Sequence, residues 1–242
     1  MQKEAKIFDA IVDARRSIRI YDDKAPFDGD AVKRSLDRAI LSPNSSNLQL
    51  WEFYRVKTKS KKDELAKLCL GQKAATTANE LIVFVARKDH WKRNAEFVFN
   101  EIKKDFPEKT GKKEQLITDY YTKLIPTLYF TDPMDITGSV KTIISMFGGA
   151  FQPIPREVTA VDVRIIVNKS VALAAQTFML SMKAEGYDSC PMEGFDSKRV
   201  KKFLGLPRAA EITMIVSVGT AKPEGVYGKR VRIPKEQVIF EI

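Results

Sequence analysis

The sequence predicts an α+β domain in which helices surround a sheet, and three observations carry the prediction. Trp51 to Thr58, Leu81 to Ala86 and Ile212 to Gly219 are runs of strand length, rich in β-branched and aromatic residues. Between them lie longer stretches whose apolar residues recur at helical spacing. The chain of 242 residues is 44% apolar with 14 Phe, enough for a substantial core, and no repeat or shift in composition divides it. A single domain over 1–242 is therefore expected.

Taken in order, Ile7 to Ala14 is a short helix running into Arg15, and Ser17 to Tyr21 is extended. Val32, Leu36, Ala39 and Ile40 fall at helical spacing behind Asp30, a candidate cap, and Pro43 ends that helix. At Ser42 to Phe53, SPNSSNLQLWEF, a helical pattern stops and a strand pattern starts. Asn44, Ser45, Ser46, Asn47 and Gln49 concentrate uncharged hydrogen-bonding capacity there. Ser, Asn and Pro form turns wherever they occur, so on its own the stretch is an ordinary loop. Ser60 with Asp63 opens the next helix, with Leu65, Leu68 and Cys69 inward. Leu81 to Ala86, LIVFVA, has no polar face, as in a strand covered on both sides.

One helix then carries Trp91, Ala95, Val98 and Ile102 on a stripe, and another carries Ile117, Tyr120, Tyr121 and Leu124; both stripes belong to the core. From Pro126 to Asp162 regularity weakens around scattered prolines, Gly138 and the Gly148-Gly149 pair, as in a lid or a cover over a pocket. Asn168 to Glu185 is a helix with Ala172, Ala175, Phe178, Met179 and Met182 inward, stopped by Gly186. CPMEGFD at Cys190 to Asp196 is a glycine-containing turn. A short helix through Val200, Phe203 and Leu204 ends at Gly205, and Val238 to Ile242 is expected as a last strand.

Forty-one Lys and Arg against 31 Asp and Glu give a net charge of +10, which suits nucleic acid, an anionic membrane surface or anionic small molecules. Lysines are scattered along amphipathic helices with acids between them, as on a solvated face. Arginines cluster instead at Arg15 to Arg19 and at Lys229 to Arg232, each cluster too short for a polybasic tail. A single-stranded nucleic-acid groove interleaves its basic residues with stacking aromatics. Phe and Tyr lie here on apolar stripes, so no nucleic-acid partner is expected. No apolar run reaches about 18 residues, and the charged N-terminus lacks the pattern of a signal peptide. A cytoplasmic protein without a membrane partner is expected.

Cys69 and Cys190 form no CxxC motif and His90 is the single histidine, so no metal site is expected. GxGxxG and GxxxxGK[ST] do not occur. A Ser-His-Asp arrangement would have to use His90, whose RKDHWKRN context suits a surface histidine. Two arginine clusters, one polar loop and one glycine-containing turn remain. Arginine grips phosphate bidentately and stays charged at any relevant pH, although Arg15 and Arg19 would equally complement a helix C-terminus. Glu193-Gly194 lets backbone N–H groups approach a planar ligand, or simply turns the chain.

In their order and wording these segments resemble the FMN-dependent nitroreductase family. Arg15-Arg16-Ser17-Ile18-Arg19 matches its Arg-x-Ser-x-Arg/Lys opening, and Pro43-Asn44-Ser45-Ser46-Asn47-Leu48-Gln49-Leu50-Trp51 matches its Pro-Ser-Ser-x-Asn-x-Gln-Pro-Trp segment. Pro191 to Phe195, Leu204 to Pro207 and Arg232-Ile233-Pro234 match later motifs. Leu50 replaces a usual Pro and Asn44 a usual Ser. The likeness runs from about residue 7 to the C-terminus, excepting a less recognisable cover segment at about 91–162. It implies a nitroreductase-like three-layer α+β fold with a mixed, mostly antiparallel sheet, in an obligate homodimer with two flavin sites at the interface.

The resemblance further implies that Arg15, Arg16, Ser17 and Arg19 contact FMN, with Arg230 and Arg232 closing over its phosphate. Pro43, Asn44, Ser45, Asn47 and Gln49 would reach the partner's flavin, Gln72 the pyrimidine edge, and Glu193 and Gly194 the region of N5. NADH or NADPH would donate a hydride that passes through FMN to a nitroaromatic, quinone or similar small-molecule acceptor. A flavin carries such chemistry itself, so no catalytic side chain is required. The alternatives are a flavin enzyme of the same fold with other chemistry, such as enoate reduction or reductive dehalogenation, and a non-enzymatic flavin-binding or nucleic-acid-binding module.

Overall fold

The computed structural model describes residues 2–132 and 134–242. Its elements in chain order are α1 (Lys3–Ala14), α2 (Gly29–Ala39), β1 (Trp51–Val56), α3 (Lys59–Leu68), α4 (Lys73–Thr76), β2 (Glu80–Ala86), α5 (Trp91–Lys103), α6 (Lys112–Asp119) and α7 (Ile125–Tyr129). Then follow α8 (Ile136–Gly148), α9 (Ala160–Ala184), β3 (Asp188–Met192), α10 (Ser197–Phe203) and β4 (Glu211–Gly219).

The strands pair antiparallel in the order β1-β2-β4-β3. A parallel contact, confined among the described residues to one bridge, joins Ser17 to Ser189 beside β3. All seven residues of β2 are buried, which accounts for a strand without a polar face. Period-two alternation sends Ile82, Phe84 and Ala86 into one core with Val216, Val218 and the inner faces of α2 and α9. Leu81, Val83 and Val85 enter a second core with Ile215, Leu65, Ala75 and Val200. Helices thus cover both faces of the sheet, giving three layers. Phe84, fully buried between Phe53 and Phe178, contributes about 2–3 kcal/mol by burial alone.

The long helix of the first core starts earlier than its apolar stripe suggests. Thr159 accepts a hydrogen bond from the Asp162 amide and the Asp162 carboxylate accepts one from the Thr159 amide, a capping box that begins α9 at Ala160. Its end is as expected: Gly186 takes φ +87°, its amide donates to the Lys183 carbonyl, and the Tyr187 amide donates to the Met182 carbonyl. By length and hydropathy α9 would suffice to cross a membrane, yet Val167, Val171, Ala175, Phe178 and Met182 lie in the core.

Other elements depart from expectation for local reasons. Asp28, not Asp30, caps α2, its carboxylate accepting from the Asp30 amide at 2.8 Å. β3 occupies part of the segment expected as a turn, and Pro191 is tolerated there because β3 is an edge strand. α8 forms inside the irregular segment because the Asp132 carboxylate accepts from the Met134, Ile136 and Thr137 amides and the Thr137 hydroxyl, bonds that hold its carboxyl well below the usual carboxylate range. Val238 to Ile242 is not a strand. After a short 3₁₀ turn at Lys235–Gln237 it lies exposed, without a ladder partner among the described residues, since β-branched and aromatic composition encodes propensity while a strand also needs an edge to pair with.

Candidate functional site

The two arginine clusters, more than two hundred residues apart in sequence, meet in one cavity of about 250 Å3 lined by Arg15, Arg16, Ser17, Arg19 and the 226–232 limb. Three links fasten the limb. Arg230 Nη2 donates to the carbonyls of Asp13 and Arg15, each at 2.8 Å, at the C-terminal end of α1. Arg16 Nη2 donates to the Gly228 carbonyl at 2.6 Å. The Arg19 guanidinium lies 5.3 Å from the centroid of the Tyr227 ring.

Of the five arginines lining this cavity, only Arg230 has an ion pair among the described residues, to Asp13 Oδ1 at 3.5 Å. Arg15 therefore faces like charge. Burial and then the cations of Arg230, Arg232 and Arg16 push its pKa down. A site that gathers uncompensated guanidinium groups is complementary to an anion able to accept several hydrogen bonds.

Arg19 and Tyr227 also line a second cavity, of about 420 Å3, with Gln72, Lys73, Cys190, Pro191 and Met192. The two cavities adjoin at this pair. Gln72 Nε2 donates to the Gly194 carbonyl at 2.7 Å and the Cys69 carbonyl at 3.0 Å. A Cβ on Gly194 would sit 3.0 Å from Gln72 Nε2, so a larger residue there would push the Gln72 amide aside. Burial raises the Cys190 thiol pKa, an effect opposed by Arg19 and Arg15. Glu193, on the same turn, opens instead on a cavity of about 670 Å3 between α9, α10 and β4, beside Arg164, Asn168 and Lys201.

The polar loop lies elsewhere. Its hydrogen bonds run within the loop and to α5, α9 and the 120–129 helical segment, and among the described residues none joins its side chains to the arginines of the two clusters. The Ser45 amide donates to Ser170 Oγ at 3.2 Å, the Gln49 amide to Asn44 Oδ1 at 2.8 Å, and Asn94 Nδ2 to the Leu48 carbonyl at 2.8 Å. Ser42 Oγ, just before Pro43, donates to Thr177 Oγ1 at 2.8 Å. Ser46, Asn47 and Gln49 have φ of 56°, 53° and 49°, in the left-handed region.

Thus one chain gathers Arg15, Arg16, Ser17, Arg19, Arg230 and Arg232, joins Gln72 and Gly194 to them through the second cavity, and sets Glu193 and Pro43, Asn44, Ser45, Asn47 and Gln49 apart. Sequence reasoning missed Tyr227, Cys190 and Lys73, which line the second cavity. It also assigned Tyr120 and Tyr121 wholly to a core stripe, although their hydroxyls reach the loop. Adjacent tyrosines on one stripe are themselves the missed signal, because neighbours on a regular helix point about 100° apart.

His90 takes no part in a triad: its ring nitrogens face Arg87 and Arg93, and burial and Arg87 lower its pKa. No three metal-ligating side chains cluster among the described residues.

The Nitroreductase family model matches residues 12–220. The Bacillus subtilis protein provisionally named NAD(P)H nitroreductase YodC is 24% identical over 225 residues, which are 93% of this chain and 95% of that protein. Among solved structures, the B. subtilis protein ydfN, assigned as a nitroreductase, superposes with a TM-score of 0.74 at 19% identity, covering 98% of this chain and 100% of its own. An Exiguobacterium sibiricum protein of the same assignment, solved in complex with FMN, gives a TM-score of 0.67 at 21% identity, covering 97% of each chain.

Proposed function

The chain belongs to the nitroreductase family, and on that premise we propose that it is a cytoplasmic, homodimeric, FMN-dependent oxidoreductase that takes reducing equivalents from NADH or NADPH and delivers them to a nitroaromatic, quinone or similar acceptor. The observation that carries this reading is the pair of adjoining cavities, one ringed by five arginines and the other partly apolar, with Arg19 and Tyr227 at their junction. A flat heterocycle bearing one terminal phosphate matches that shape and charge. The FMN-bound relative of the same fold and the NAD(P)H in the name of YodC support the cofactor and the donor.

The residues present fit the group. Arg15, Arg16 and Arg232 have no acidic partner among the described residues and would bind the phosphate, with Arg230 fixing the limb that carries Arg232. Arg19 would hold positive charge at the pyrimidine edge, where Gln72 presents its amide. Gly194 lets the backbone come close to the ring, and Tyr227 with Met192 and Pro191 excludes water from its edge. Bound FMN supplies two-electron redox chemistry, so the side chains need only bind, orient and stabilise.

Pro43, Asn44, Ser45, Asn47 and Gln49 would complete the site of the partner subunit. Exposed apolar side chains support association: Val140, Ile143, Ile144 and Phe147 share one side of α8, and Val238, Ile239 and Phe240 lie bare on the tail. The whole chain would act as a single nitroreductase-like domain, since Ile125 and Tyr129, inside the 91–162 cover segment, pack into the same core as α9 and β2. Both cysteines are free, in keeping with a reducing compartment.

The test is turnover. Protein loaded with FMN should oxidise NADH or NADPH steadily when a nitroaromatic or a quinone is added, far faster than free FMN at the same concentration. A flavin-loaded protein that turns over neither would leave only a binding role.

A further inference from the structure

Among the described residues the left-handed backbone is concentrated in the polar loop. Three of the five non-glycine residues with positive φ among the described residues are Ser46, Asn47 and Gln49. No glycine relieves them, so neighbouring groups must hold the conformation. Asn44 Oδ1 accepts from the Gln49 amide at 2.8 Å, and three tyrosine hydroxyls reach Ser45 and Ser46. Tyr120 Oη donates to Ser46 Oγ at 2.8 Å, Tyr121 Oη to the Ser46 carbonyl at 3.2 Å, and Tyr129 Oη to Ser45 Oγ at 3.1 Å.

Their convergence depends on a defect in the helix that carries them. Between α6 and α7 the turn Tyr120–Leu124 is π-helical, the Ile125 amide donating to the Tyr120 carbonyl five residues back. In an uninterrupted α-helix Tyr121 and Tyr129, eight residues apart, would point about 80° from each other. A π turn absorbs one residue, so they stand as though seven apart, about 20° from alignment. The rings are locked as well: Tyr121 stacks on Phe99 at 6.0 Å and meets the Tyr120 ring edge-on at 5.2 Å, and Tyr129 is buried. π turns are rare and occur frequently at functional sites.

We propose that Tyr120, Tyr121 and Tyr129 are positioning residues that, through the π turn, hold the 43–49 loop in its left-handed conformation and so present it preformed to the flavin. This rests on the flavin reading above and extends it to a segment outside the arginine cavities. The loop thereby becomes coupled to the cover segment, so a change in that segment acts on the flavin site through hydroxyls that never touch the flavin.

The experiment compares FMN affinity and amide exchange in the loop for Tyr120→Phe, Tyr121→Phe, Tyr129→Phe and the triple variant, each with and without Ser46→Gly. Each hydroxyl removed should raise the FMN dissociation constant roughly fivefold, the triple variant about a hundredfold, with matching loss of loop protection. Glycine adopts φ 56° without strain, so with Ser46→Gly present, Tyr121→Phe should cost less than about twofold. A purely structural role for Tyr121 would cost the same in both backgrounds. That outcome, or unchanged affinity and exchange in the triple variant, overturns the proposal. If the unmodified protein takes up no FMN the flavin reading falls, and the exchange comparison alone still decides whether the hydroxyls hold the loop.

Discussion

Arg230→Met tests whether the C-terminal limb is fastened to α1 by one guanidinium. Methionine keeps an apolar stem and removes the donors. The loss is two short hydrogen bonds from a cation, to the carbonyls of Asp13 and Arg15, with a longer one to Val12 at 3.4 Å. A hydrogen bond to a charged group contributes about 1.5–3 kcal/mol when buried. Here the side chain is 27% exposed and the freed carbonyls regain water, so about 2 kcal/mol in total is reasonable. α1 buries no residue, hence the loss should appear as local opening and not as global unfolding.

Exchange of the Arg15 amide, which donates to the Ile11 carbonyl at 3.0 Å, should accelerate about 30-fold, while the melting temperature barely moves. Removing Arg230 also relieves repulsion on Arg15, so the destabilisation should be larger with FMN bound than without it. Exchange unchanged within about threefold would refute the fastening argument.

Arg19→Gln should lower the two-electron potential of the bound flavin by about 30 mV, since a charge ~5 Å away contributes ~3 kcal/mol at an effective dielectric of ~20 and solvent screens the exposed Arg19 to about half of that. Arg232→Gln should weaken binding more and shift the potential less, and redox titration of both variants separates the two roles. Glu185 sits between Arg34 and Arg38, and those bonds, with Arg34 first, hold its carboxyl down at about 2. Because the folded pKa lies below the unfolded one, its contribution is complete above about pH 4.5 and is lost as pH falls towards 2. Glu185→Gln should therefore cost about 1 kcal/mol at neutral pH after screening and flatten that acid limb in urea titrations. Glu80→Gln leaves Arg55 without its bidentate partner beside a strand that is otherwise apolar. Calorimetry should record a loss of about 3 kcal/mol and a melting temperature about 6–12 °C lower.

The parts of the fold legible in the sequence are those where one periodicity decides. β2 announces itself because every side chain from Leu81 to Ala86 is apolar, and α9 because Phe178, Met179 and Met182 share a face and Gly186 stops it. The start of α9 was hidden because a capping box is two polar residues in an irregular stretch. α8 was hidden because ITGSVKTIISMFG is rich in β-branched residues, Ser and Gly, all weak helix formers, so its one-sided apolar stripe did not read as a helix. The tail is apolar like a strand yet unpaired, since pairing depends on an edge that no single-chain pattern reveals.

Within the candidate site, both arginine clusters were visible as charge, and the resemblance joined them. Tyr227 was not, because its role follows from lying against Arg19 after the chain has turned back from Gly225. The π turn leaves no compositional mark at all; only the adjacent Tyr120 and Tyr121 hint that the helix is out of phase there.

The central claim is that the arginine cavity holds the phosphate of a flavin mononucleotide. Comparing FMN with riboflavin, which has the same ring and no phosphate, tests it most directly, by fluorescence quenching at low and at moderate salt. Two or more charge-assisted hydrogen bonds to the phosphate should make FMN bind at least about a hundredfold more tightly. Arg15→Gln and Arg232→Gln should each shrink that ratio while leaving riboflavin almost unaffected. Equal affinity for the two flavins, or a ratio untouched by either substitution, would contradict the account.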